Sequence, residues 1–70
     1  MKNVRVLKAL EDGPKTIEEI AEKTGIKPME VRRYLLRFTE QGKVESYRRE
    51  GKLFWKIREK SEKEEEFKYV

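Results

Sequence analysis

The stretch of residues 16–42 limits the fold most, because its helix start and stop signals come in an order that two linked helices satisfy. Thr16 stands three residues before Glu19, and such a pair can cap a helix start reciprocally. Gly25 ends this helix, since glycine enters the left-handed cap conformation without steric cost. Pro28 suits the first turn of the next helix, where a missing N–H loses no hydrogen bond. The stretch therefore predicts two helices joined by a tight turn, over residues 16–24 and 28–41.

A further helix is predicted ahead of this pair, over residues 3–11. Apolar side chains recur there at helical spacing, at Val4, Leu7 and Leu10, with Val6 beside them. The run from Asp12 to Pro14 then ends the helix, because glycine and proline both favour termination. Pro14-Lys15 is too short for an independent strand, but it can pair as a stub with a later hairpin.

After residue 42 the apolar period changes from helical to alternating, which is typical of β-strands. Gly51 marks the turn of a hairpin, with Glu50-Gly51 as its loop. Glu-Gly is not the best two-residue turn, so a four-residue loop that keeps the same cross-strand pairs is an alternative. The register opposes residues that stabilise antiparallel strands, in the pairs Val44–Ile57, Tyr47–Phe54 and Glu45–Lys56, with Ser46 opposite Trp55. The face that covers the helices is predicted to hold Val44, Trp55 and Ile57, with Leu53 on the same side.

The second helix of the pair has a core face and an outer face. At about 100° per residue, Val31, Leu35 and Phe38 form a single core stripe. The opposite face carries Met29, Arg33, Leu36, Arg37 and Glu40, with Arg32 at its margin. Three arginines therefore flank the outer face. Arginine is well shaped to pair with guanine edges or to grip phosphate, and a major groove accepts a helix of this diameter.

Charge also favours a nucleic-acid interface at this helix. Residues 27–58 carry ten basic and four acidic side chains, a net charge of +6, whereas the whole chain of 70 residues has a net charge of +4. Such clustering is typical of nucleic-acid binders. Lys27 and the free N–H groups at the helix start favour phosphate. The alternative is that the arginines form a solvated face, in weak ion pairs with Glu30 and Glu40.

Two further features leave alternatives open. Met29 and Leu36, on the outer face, could touch thymine methyl groups or could belong to a protein-binding face. Arg48, Arg49 and Lys52 surround the hairpin turn, from which they could reach a minor groove or the flanking phosphates. Basic residues at such a tip can instead protect a sheet edge from pairing. After nucleic-acid binding, the second candidate function is a protein-interaction module that docks on a larger complex through Met29, Leu36 and the tail.

In order and spacing the chain resembles the winged helix-turn-helix family of DNA-binding domains, over roughly Val4 to Arg58. The stretch from Asp12 to Glu45 is similar in layout to the core of small bacterial and archaeal regulators of the MarR and ArsR type. The resemblance implies an α+β winged helix, with three helices and a C-terminal hairpin wing. It implies a partner, double-stranded DNA, and a role in transcriptional control. It also implies DNA contacts from the recognition helix at Met29, Arg32, Arg33, Leu36 and Arg37, and from the wing tip at residues 48–52.

The sequence offers little for catalysis or for metals. It has no cysteine and no histidine, which removes thiolate ligands, disulfides and the commonest imidazole base. It also lacks a nucleophile–base set and a phosphate-cradling glycine loop. We therefore expect no enzymatic activity, no cofactor and no metal. The chain lacks the longer flanking dimerisation helices and the sensing site of the families it resembles, which argues against a stable dimer and against regulation by a ligand or metal. The first helix and the tail are the surfaces through which a homodimer could still form.

Composition adds three expectations. No apolar run approaches the roughly 20 residues of a membrane span, so that we expect a soluble, cytoplasmic protein. Residues 59–70 carry charge without helical periodicity, and we expect a helical extension or disordered tail outside the domain of residues 1–58. The abundance of Lys, Arg and Glu, with a single Asn and a single Gln, resembles proteins of hot environments.

Overall fold

The structure is a computed structural model that describes residues 1–58. Three helices precede two strands: α1 (Lys2–Ala9), α2 (Ile17–Thr24), α3 (Pro28–Glu40), β1 (Val44–Arg49) and β2 (Lys52–Ile57). The strands form one antiparallel sheet, and this arrangement confirms the predicted α+β winged helix. None of the helices in the described part of the chain has the length and apolar character needed to cross a membrane. The charged tail predicted at residues 59–70 lies outside the described residues.

The junction between α2 and α3 forms as its sequence predicts. The Thr16 hydroxyl accepts the backbone N–H of Glu19 at 3.2 Å, and the Thr16 N–H donates to the Glu19 carboxylate at 2.9 Å. Gly25 caps the other end of α2 in a left-handed conformation, with φ of 76°, which glycine adopts without a clash. Pro28 begins α3, and Gln41 is its C-cap instead of its last helical residue. Both ends of α2 and the start of α3 therefore follow from local sequence signals.

One apolar core joins the helices to the hairpin. α3 contributes Val31, Leu35 and Phe38, the stripe that its spacing predicts. The prediction for α1 is wrong in one respect, because Val6 is fully buried whereas Val4 is 49% exposed. The predicted helix over residues 3–11 also ends earlier, at Ala9. The other buried members of the core are Ala9, Leu10, Ile20, Ile26, Val44 and Trp55.

The hairpin pairs in the predicted register, with Val44 opposite Ile57. Its loop consists of Glu50 and Gly51, whose φ angles are both positive, at 54° and 79°. Positive φ at both loop residues gives a turn whose twist matches that of the paired strands, and the four-residue alternative is excluded. Burial is confined to the end of the hairpin near the helices. Leu53, which the alternation places on the inner face, therefore remains 41% exposed.

Backbone hydrogen bonds attach the hairpin to the segment that precedes α2. The Lys15 N–H donates to the Trp55 carbonyl at 3.0 Å, and the Trp55 N–H donates to the Lys15 carbonyl at 2.8 Å. This is the stub pairing that the sequence leaves possible. The Trp55 side chain is buried, and its indole N–H finds no acceptor within residues 1–58. The wing is therefore joined at its base to the start of the helix pair.

Exposed ion pairs connect α1 and the turn after it to the other helices. Lys2 pairs with Glu30 near the start of α3, with 3.3 Å between the ammonium nitrogen and the carboxylate oxygen. Asp12 pairs with Lys15 and, at 2.9 Å, with Lys23 in the last turn of α2. Hydrogen bonds from Lys15 and then Lys23 lower the pKa of Asp12 to about 2. All three helices are thus linked at the surface as well as through the core.

Candidate nucleic-acid interface

The structure leaves exposed all the residues that the sequence predicts for nucleic-acid contact. They fall into two groups on different elements. The first group, the helix surface, lies on α3 and its N-cap and consists of Lys27, Met29, Arg32, Arg33, Leu36 and Arg37. The second group, the wing tip, surrounds the hairpin turn and consists of Arg48, Arg49 and Lys52.

The helix surface combines apolar and cationic side chains around a shallow depression. Met29, Arg32, Arg33 and Leu36 line this depression, whose volume is about 240 Å³. Met29 is 79% exposed and Leu36 is 46% exposed. Since the core stripe of α3 lies on the opposite side of the helix, nothing in residues 1–58 covers this face. A ligand could therefore contact this face of α3 directly.

A second depression along the same helix includes a residue that the sequence did not predict. Glu30, Arg33, Tyr34 and Arg37 line it, and its volume is about 220 Å³. Tyr34 is half-buried and packs against the core. Tyrosine hydroxyls contact phosphates in protein–DNA complexes, so that Tyr34 belongs with the candidate residues. Its position three residues before Arg37, on the same side of the helix, is the sequence feature that could have identified Tyr34.

The arginines of α3 have no carboxylate partner among residues 1–58. The sequence left open that they form weak ion pairs with Glu30 and Glu40. Glu30 is instead engaged by Lys2 from α1, and Glu40 forms no ion pair in the described part of the chain. The guanidinium groups of the helix surface are therefore available to an anionic ligand.

The N-terminal end of α3 adds a second source of positive potential. Lys27 occupies the N-cap position and no side chain caps the helix. The first N–H groups of a helix have no acceptor within the helix, and the helix dipole places partial positive charge there. Glu30 is the acidic residue of this first turn, and Lys2 pairs with it. The helix start beside Lys27 therefore favours an anion such as phosphate.

The wing tip brings like charges together at the end of the hairpin, whose base is hydrogen-bonded to Lys15. Arg49 lies directly opposite Lys52, an arrangement that destabilises a hairpin in isolation. Neither residue has an ion-pair partner within residues 1–58. Closer to the base, Tyr47 stacks on Phe54 with 5.7 Å between ring centroids, which stabilises the paired strands. Such a tip suits a partner that supplies negative charge.

The described residues contain no group of three acidic side chains close enough to hold a metal ion. The carboxylate with a clearly perturbed pKa, Asp12, lies at the turn between α1 and α2. Its pairing with Lys15 and Lys23 accounts for that low pKa. The perturbation is therefore explained by a structural contact and indicates no catalytic site.

Comparison with known proteins agrees with this geometry. The model of the IclR helix-turn-helix domain matches residues 1–47. A solved winged helix-turn-helix DNA-binding domain from Mycobacterium bovis, Mb0332, is homodimeric and is described as a possible ArsR-family transcriptional regulator. It is 25% identical, with a TM-score of 0.74, over 80% of this chain and 52% of that chain. A ZitR variant from Lactococcus lactis, solved in complex with DNA, is 28% identical, with a TM-score of 0.73, over 87% of this chain and 44% of that chain.

The chain spans about half the length of these two solved neighbours. Comparison with curated proteins gives no match. The predicted resemblance to winged helix-turn-helix regulators is confirmed by the family match and by the Mycobacterium bovis neighbour, a winged helix-turn-helix DNA-binding domain described as a possible transcriptional regulator. The family match covers more than half of the sequence and includes all three helices. The chain therefore belongs to the IclR helix-turn-helix domain family.

Proposed function

We propose that this chain binds double-stranded DNA as the DNA-reading domain of a transcription regulator. α3 enters the major groove, where Arg33 and Arg37 contact base edges or phosphates. Arg32 and Lys27 hold the sugar–phosphate backbone beside the groove. The wing tip contacts the backbone or the minor groove alongside. The function includes no catalytic step, because positioning and charge are sufficient for recognition.

The exposed, unpaired arginines of α3 are the observation that carries this proposal. Three guanidinium groups lie on one helix and have no carboxylate partner among residues 1–58. Like charges so close together repel one another, and a polyanion relieves that repulsion. The wing tip and the start of α3 add positive charge next to them. Duplex DNA is the polyanion whose major groove fits a helix of this width.

The solved neighbours support the same partner and add a proposal about assembly. One is a DNA-binding domain and a homodimer, and the other was solved in complex with DNA. We extend both properties to this chain. α1 is the candidate dimer surface in the described residues, because Met1 and Val4 are 94% and 49% exposed. A two-fold dimer would contact half-sites about 34 Å apart on the duplex.

Titration of labelled nucleic acids tests the function. Duplexes enriched from a random library, single-stranded DNA and a structured RNA would each be titrated with the protein at several salt concentrations. We expect the tightest binding to the enriched duplex, with a steep loss of affinity as salt rises. Indifference to sequence or strandedness would indicate an architectural or RNA-binding protein. Absence of duplex binding at low salt would refute the proposal and favour a protein-interaction module.

The variant Arg33→Ala tests the assignment of the reading helix. We expect its affinity for the enriched duplex to fall by about 1–3 kcal/mol, the discrimination that a bidentate arginine–guanine contact provides. Arg58→Ala is the matched control, because Arg58 is also exposed but follows β2 and lies outside α1, α3 and the wing tip. Unchanged affinity of Arg33→Ala for the enriched duplex would exclude Arg33 from base reading.

A further inference from the structure

We infer that Met29 and Leu36 contact the 5-methyl groups of thymines, an inference that rests on the proposed binding of duplex DNA. The helix surface would then select thymine at two positions of the preferred site. Arginine contacts alone do not specify those positions. The apolar pair therefore adds a base preference to the electrostatic attraction.

The two apolar side chains lie at the centre of the outer face of α3. Measured from Val31 at about 100° per residue, Leu36 lies at about 140° and Met29 at about 160°. Arg32 lies at about 100° on one side of them, and Arg33 lies at about 200° on the other. The line of α3 that points most directly at a partner is therefore apolar, and the cations flank it.

Neither apolar residue is needed to complete the core of the described chain. Met29 is 79% exposed and Leu36 is 46% exposed, whereas Val31 and Leu35 on the core face are fully buried. Both apolar residues line one depression together with the two arginines that flank them. A partner that fills this depression must offer a small apolar group between anionic groups.

The major groove of DNA offers that combination. Its floor displays the thymine 5-methyl group, and its walls are lined by phosphates. A helix seated with its apolar line on the floor directs Arg32 toward one wall and Arg33 toward base edges or the other wall. A protein partner would instead have to supply acidic groups for several guanidinium groups that have no carboxylate within residues 1–58. Charge complementarity therefore favours DNA as the occupant.

The spacing of the pair predicts the spacing of the thymines. Met29 and Leu36 are seven residues apart, which corresponds to about 10.5 Å along the helix axis. Successive base pairs are about 3.4 Å apart. The two methyl contacts are therefore about three base pairs apart when α3 follows the groove floor. Arg33 lies between the two residues in the helix and faces the intervening base pairs.

Replacement of thymine by deoxyuridine isolates the methyl group. Uracil keeps the base pairing and the O4 acceptor of thymine, and it lacks only the 5-methyl group. The probe is the duplex enriched from a random library, with each thymine replaced in turn, titrated with the full chain by fluorescence anisotropy. We expect two replacements, about three base pairs apart, to weaken binding about fourfold each, the effect of losing one buried methyl-sized group. The other replacements should leave the affinity unchanged.

Two variants assign the methyl contacts to side chains. Leu36→Ala should abolish the uracil penalty at one of the sensitive thymines, and Met29→Ala should abolish it at the other. Leu53→Ala is the matched control, because it removes an exposed apolar side chain from β2; it should keep both penalties. Both α3 residues are exposed and alanine favours helix, so that each variant should retain the fold.

The outcomes separate this inference from the function on which it rests. An enriched duplex that tolerates every thymine-to-uracil replacement would overturn the inference and leave DNA binding intact. Uracil penalties that persist in both Leu36→Ala and Met29→Ala would also overturn it, because the methyl groups would then be read elsewhere. Failure to enrich any duplex would overturn the inference together with the proposed function.

Discussion

Removing the charge of the wing tip tests whether the hairpin contacts phosphates. The variant combines Arg48→Gln, Arg49→Gln and Lys52→Gln, and each substitution keeps most of the side-chain length. All three residues are exposed, and none has an ion-pair partner within residues 1–58. Arg49 also lies opposite Lys52, so that the variant relieves a repulsion between like charges. We therefore expect the free energy of unfolding to be unchanged or higher, while DNA affinity falls.

The salt dependence gives the magnitude of this effect. Each cation that neutralises a phosphate contributes about 0.9 to the slope of log affinity against log salt concentration. Three phosphate contacts at the wing tip therefore contribute about 2.7 to the slope. When salt rises from about 50 to 200 mM, the parent should lose about 40-fold more affinity than the variant. Because phosphate contacts carry no base information, the loss should be similar for enriched and unrelated duplexes.

Fluorescence anisotropy titrations at several salt concentrations would measure both slopes. The matched control combines Lys23→Gln with Arg58→Gln, which removes exposed positive charge from α2 and from the end of the described residues and leaves α1, α3 and the wing tip intact. We expect this control to keep nearly the parent slope. A wing-tip variant whose slope equals that of the parent would show that the hairpin makes no phosphate contact and would restrict the interface to α3.

Three further predictions concern stability. Glu50→Asn should raise the free energy of unfolding, measured in urea, by about 0.5–1 kcal/mol, because Glu50 has positive φ and asparagine tolerates that conformation better. A lower free energy of unfolding would show that the Glu50 backbone is not strained. Asp12→Asn should lower the melting temperature at pH 6, whereas the difference from the parent should shrink as pH falls and vanish below pH 2. The pKa of Asp12 is lowered to about 2, so that its stabilising contribution is present above the ordinary carboxyl pKa and is lost as pH falls through the lowered value; a difference that persists below pH 2 would refute this cause. The charged composition predicts a melting temperature above about 65 °C, the upper end for ordinary mesophile domains, and a calorimetric midpoint below that range would count against an origin in a hot environment.

Local and periodic signals explain which parts of the fold could be predicted from the sequence. The reciprocal cap of Thr16 and Glu19 and the turn at Gly25 depend on residues a few positions apart. The hairpin register follows from the two-residue period of strands, because a slip of one residue would turn Trp55 away from the core. α3 is long enough, at 13 residues, for its buried stripe to be read from spacing alone.

Tertiary contacts explain what could not be predicted. α1 has only eight residues, so that its spacing admits more than one buried face, and packing against the other helices selects Val6 over Val4. Leu53 obeys the alternation of its strand, but the core does not extend to the tip of the hairpin. The pairing of Glu30 with Lys2 joins residues 28 positions apart, and no local pattern indicates it. For the same reason the sequence did not show that the arginines of α3 lack carboxylate partners among residues 1–58.

The two hydrogen bonds between Lys15 and Trp55 have a consequence for how this scaffold can change. Both are formed by main-chain atoms, so that replacing the side chain at position 15 with any residue except proline preserves them. These two bonds, together with the buried core, hold the hairpin against the helices, and they do not depend on which side chains α3 and the wing tip expose. The side chains of α3 and of the wing tip can therefore be exchanged to suit another DNA sequence while the two backbone hydrogen bonds remain.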